Sequence, residues 1–98
     1  MADTQTFLML FKAKRENFIA TMTPEEQAVM EAHGAHCHAL AAQGRVVLLG
    51  VCPDGAYGVM VFRAESEEEA RRFFDEDPAV QAGVVQPELR PFLTVMPG

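Results

Sequence analysis

His33 and His36, one helical turn apart with Cys37 beside them, are the residues of this 98-residue chain whose types and spacing invite chemistry. Imidazole titrates near neutral pH, so a histidine lining a pocket can serve as a general acid or base. At about 100° per helical residue, Val29, His33, His36 and Leu40 fall within a stripe roughly 60° wide, and His38 points to the opposite side. The two imidazoles therefore lie on the face that should pack on a sheet, where a hydrogen-bonded core or interface histidine is the plain alternative to a working one. Imidazoles at this spacing can share an ion, but a site needs a further ligand and the H-E-x-x-H pattern is absent, so no metal is expected. Cys37 reads as a small packing residue and His38 as a solvated one. Asp75, Glu76 and Asp77 gather where a helix dipole disfavours negative charge. For Asp77 the plain account is that Asp before Pro78 makes a good N-cap for the next helical turn.

The elements that carry these residues follow from local signals. Gln5 to Lys12 is a short apolar run that predicts a first strand, followed by the polar stretch Ala13 to Thr21. Thr23-Pro24-Glu25-Glu26 opens a helix through a capping box, and the helix runs to Gln43, where Gly44 supplies a left-handed stop. Arg45 to Cys52 predicts an aliphatic strand, Pro53-Asp54-Gly55 a turn and Tyr57 to Ala64 its hairpin partner. Ser66 with Glu69 repeats the capping-box pattern and opens a second helix ending near Asp75, with Glu67-Arg71 and Glu68-Arg72 as supporting pairs. Asp77-Pro78 starts a short helical turn closed by Gly83, and Leu89 to Met96 is read as the last strand, with Pro91 placing it at an edge or bulge. The order β-α-β-β-α-β predicts an α+β, ferredoxin-like fold: a four-stranded antiparallel sheet with two helices on one face.

No repeat, linker or low-complexity tract divides residues 1–98, so a single domain is expected. Hydrophobic residues at 49% against 22% charged can form a core. Phe7 to Leu10 and Val46 to Leu49 are apolar on both strand faces, whereas two helices cover only one. A second copy of the chain is the simplest cover for the other, which predicts a homodimer. A net charge of -6 makes nucleic acid and anionic membrane poor partners. Asp3 stands where a signal peptide would carry a base, and no run approaches the ~18 apolar residues of a membrane span. Two cysteines, Cys37 and Cys52, are expected as free thiols in a reducing cytoplasm.

His33 stands eleven residues before Gly44, and Gly44-Arg45-Val46-Val47 leads to Gly50. Ala64-Glu65-Ser66 precedes Glu68-Glu69-Ala70, and Asp77-Pro78 is followed by Ala82-Gly83 and Arg90-Pro91-Phe92. In that order, over Phe7 to Phe92, these residues resemble the YCII-related proteins of the dimeric α+β barrel superfamily. The resemblance implies a ferredoxin-like subunit, a sheet-to-sheet dimer, and a His/Asp pair as active centre, here His33 and Asp77. It further implies a small-molecule ligand and no cofactor, with lyase or dehalogenating elimination on a hydroxylated aromatic, or isomerisation of a small cyclic acid. His36 is placed as a second, substrate-binding wall of the same pocket, outside the family pattern. A different class remains open: a small-molecule-binding or structural dimer in which His33 and Asp77 tie helix to loop.

Overall fold

The computed structural model describes residues 5–95. Eight elements follow in order: β1 (Gln5–Ala13), α1 (Phe18–Thr21), α2 (Pro24–Ala42), β2 (Val46–Val51), β3 (Tyr57–Ala64), α3 (Glu67–Glu76), α4 (Pro78–Ala82) and β4 (Val85–Pro91). The strands form one antiparallel sheet in the order β2-β3-β1-β4, so the expected α+β, ferredoxin-like arrangement is the one observed. Alternation along β1 sends Phe7, Met9 and Phe11 to the helix side, opposite Phe62, Met60 and Gly58 of β3. Phe7 and Phe62 are all but sealed from solvent, with ring centroids 5.9 Å apart. Each buried aromatic of this kind contributes about 2–3 kcal/mol by removing apolar area from water. Cys37 and Leu40 of α2 and Ala70, Phe73 and Phe74 of α3 close the core from above.

The other sheet face, which no helix among the described residues covers, carries Leu8, Leu10, Leu48 and Val59 toward the β2 side and polar Gln86, Glu88 and Arg90 on β4. Among the described residues no helix is long and apolar enough to cross a membrane. Cys37 is buried, Cys52 is exposed, and both are free thiols.

Local departures from the sequence reading have identifiable causes. The last strand spans 85–91 rather than 89–96, because Val85 pairs with Ala13 as soon as Gly83, at φ 69°, has ended α4; Met96 lies outside the described residues. Phe92 N–H donates to Thr6 O, so by alternation residues 87 and 91 turn their backbone nitrogens away from β1, where two prolines cost no ladder bond. The stretch 13–21 is not a plain loop: Asn17 adopts φ 54° and starts α1, which buries Phe18 beneath the Arg15 guanidinium. At Ser66 only half of the capping box forms. The Ser66 hydroxyl accepts from Glu69 N–H, but the Glu69 carboxylate accepts from Glu65 N–H and pairs with Arg45 at 2.8 Å. Arg72 likewise approaches Glu69 at 3.7 Å, and Arg71 lies over the Phe74 ring, in place of the expected i,i+4 pairs.

Candidate active site

Asp77 occupies the joint between two helices. Its N–H donates to Phe74 O at the end of α3, while its side chain accepts from Ala79 N–H at 2.8 Å and caps α4. The residue is fully buried, and α4 packs on α2, so the carboxylate meets α2 at His33. Nδ1 of His33 lies 2.9 Å from one Asp77 oxygen and 2.8 Å from the other. A carboxylate only accepts, so Nδ1 carries a proton and donates. Phe11 meets the imidazole edge-on, centroids 5.0 Å apart, and Cys37 Sγ lies 3.7 Å from Nε2 and 3.9 Å from Nδ1. Burial alone would lower the His33 pKa. The hydrogen bond from Nδ1–H to Asp77, aided by Cys37 and by the Asp77 charge, outweighs it and holds the ring at about 10. His33 is therefore an imidazolium at neutral pH, with Nδ1 committed to Asp77 and Nε2 beside Cys37 Sγ.

Beside this ring opens a cavity of about 440 Å³. Its floor is sheet, including Phe11, Leu49 and Gly58; α2 supplies Met30, His33, Gly34, Cys37 and His38; Phe18, Ile19 and Met22 border it from the α1 segment. Gly55 closes the rim against Ile19. At φ 79° it takes a conformation disfavoured for other residues, and a Cβ there would stand 2.6 Å from Ile19 Cγ1. The lining is predominantly apolar with few polar groups, the usual character of a small-molecule site.

Of the residues singled out from sequence, His33 and Asp77 meet directly. His36 does not join them at the cavity: its Nε2 donates to Phe73 O at 3.0 Å, against α3. The helical wheel accounts for this, since Met30, Gly34, Cys37 and His38 turn to one side of His33 and His36 to the other. His38 is exposed, as read, and also borders the cavity; Cys37 is packed in the core, as read, and in addition lies against the imidazole. The signal in the sequence was the stripe Met30-Gly34-Cys37, which becomes visible only once the open side of α2 is known. A ring nitrogen of His33, Cys37 Sγ and an Asp77 oxygen lie within 4.8 Å of one another. That set is one ligand short of a closed tetrahedral site, and its nitrogen and carboxylate are joined by a proton.

The profile of the YCII-related domain matches residues 6–92. A search of curated proteins gives no match. Among solved structures the fold is similar to 5-chloro-2-hydroxyhydroquinone dehydrochlorinase (TftG) from Burkholderia phenoliruptrix AC1100, in complex with 2,5-dihydroxybenzoquinone. The TM-score is 0.65 at 18% identity, over 89% of this chain and 93% of that one. At that identity the likeness concerns the fold.

Proposed function

This chain belongs to the YCII-related family, and from that premise we propose that it is a cofactor-free enzyme in which His33, charged and oriented by Asp77, acts on a small hydroxylated ring by lyase-type elimination. The observation that carries the reading is the His33–Asp77 pair at 2.8 Å beside an apolar cavity. With Nδ1–H held by Asp77, Nε2–H, which lies beside Cys37 Sγ, is the ring donor that remains to meet an oxygen of a ligand. An imidazolium with a pKa near 10 is a poor base at neutral pH but a strong hydrogen-bond donor, so His33 serves as general acid and as stabiliser of a developing phenolate or enolate. Such an oxyanion forms when a ring hydroxyl releases its proton to solvent; its electron pair then re-forms a ring carbonyl as the carbon–chlorine bond breaks and chloride leaves with that bond's pair. Apolar walls strengthen that interaction by excluding water. The similar dehydrochlorinase and its bound dihydroxybenzoquinone supply the chemical class: a flat, oxygenated six-membered ring, well within the volume of this cavity.

Calorimetric binding of 2,5-dihydroxybenzoquinone, together with chloride release from 5-chloro-2-hydroxyhydroquinone, tests the reading. His33→Asn should lower turnover by ~10²–10⁴-fold, the scale of losing a general acid, when assayed well below its own melting transition. A variant that melts early yet binds and turns over like the parent would make the pair a structural tie between α2 and α4, and would overturn the catalytic role.

A further inference from the structure

Gly34, the residue after His33, lies in the middle of α2, where glycine weakens a helix relative to alanine. Two structural reasons usually excuse such a glycine. One is a left-handed backbone, and Gly34 is not among the glycines with positive φ. The other is a close approach by a neighbouring element, but a Cβ built on Gly34 would meet nothing within 4 Å. Across the cavity Gly58 repeats the pattern within β3. It lies opposite Phe11 on the helix-facing side of the sheet, has no positive φ, and a Cβ there would reach its first neighbour, Phe11 Cβ, at an ordinary 3.9 Å. Strand stability would favour a larger residue at that position too. Neither glycine is required by the fold, and both line the same cavity, one from the helix and one from the sheet.

We infer that Gly34 is a specificity-determining residue, and that a planar, oxygenated ring occupies the space its side chain would fill, lying against the bare backbone of α2 with its other face toward the sheet at Gly58. The inference rests on the proposed use of the cavity as a ligand site. What it adds is the ligand's shape and position: a flat ring seated directly beside the His33 imidazole. A methyl group at position 34 would push such a ring out of the slot without disturbing any contact within the protein. Rings carrying out-of-plane substituents should be rejected by the parent protein for the same reason.

The test compares the parent, Gly34→Ala, Gly58→Ala and His33→Asn, using 2,5-dihydroxybenzoquinone as the probe in calorimetry and thermal melting without ligand. Gly34→Ala is expected to melt at the same temperature as the parent or a few degrees higher, because alanine favours the helix in both local and unfolded-state terms. Its affinity for the probe should fall at least tenfold, with a smaller fall for Gly58→Ala. Parent-like affinity in Gly34→Ala, alongside weakened binding in His33→Asn, would overturn the role of Gly34 and leave the cavity reading standing. A lowered melting temperature in Gly34→Ala would make the glycine structural and equally overturn it. Absence of probe binding by the parent would overturn both readings together.

Discussion

The charge on His33 ties the protein's stability to pH through a single pair. Its folded pKa lies above the ordinary value of 6.5, at about 10, so the pair's stabilisation is fully present below about pH 6.5 and is lost as pH rises through 10. Urea midpoints should therefore decline between pH 7 and 10 in the parent and stay flatter over that range in His33→Asn. Asp77→Asn should preserve the cap on α4, since asparagine also accepts from Ala79 N–H, while removing the charge that holds the imidazole protonated. The His33 ring resonance should then titrate at or below its ordinary range, with burial no longer opposed. Asp77→Ala removes cap and partner together and should cost about 2–3 kcal/mol in denaturant unfolding. At this scale the sequence was only partly legible. Asp77 was recognisable on its own as a cap before Pro78, but its meeting with His33, 44 residues away, was implied by family resemblance alone. The exchange of His36 for His38 at the cavity shows the limit of a helical wheel, which gives relative directions and not which side is left open.

Elements whose signals are local were readable, and the start of α2 shows why. Thr23 Oγ1 accepts from Glu26 N–H at 3.1 Å and Glu26 Oε1 accepts from Thr23 N–H at 2.9 Å, a reciprocal pair settled within four residues. The same carboxylate takes two bonds from Arg15, at 2.9 and 2.7 Å, which hold Glu26 at a pKa of about 2 and fasten the α1 segment to the head of α2. Thr23→Ala should lower stability by about 1 kcal/mol, the usual cost of a lost N-cap, visible as a drop of roughly 4–8 °C in the melting temperature. Where a second element competes for the capping group, the local pattern misleads: Glu69 follows Ser66 at the correct spacing, yet Arg45 and the Glu65 amide claim its carboxylate. β4 was misplaced for a related reason. Its boundaries are set by pairing with β1, and Pro87 reads as a breaker until the register turns its nitrogen outward.

For the whole molecule, the open question of cover for the second sheet face becomes a measurement. Leu8, Leu10, Leu48 and Val59 lie on that face, and Leu48 is 57% exposed. We expect two copies to meet there, so sedimentation at micromolar concentration should give twice the monomer mass, and Leu48→Lys should shift the population toward monomer. A parent that sediments as a monomer would require a different fate for these side chains. The two prolines of β4 bear on association of another kind. A strand adding to a sheet edge needs a continuous row of backbone donors, and along this edge the outward positions at 87 and 91 offer none. Among the described residues only the β2 edge can then accept a foreign strand, and its register already shifts between Val46 and Leu48. A sheet with one competent edge can pair with one other copy but cannot pass the pairing on, so edge-to-edge polymerisation of the folded protein ends at the pair.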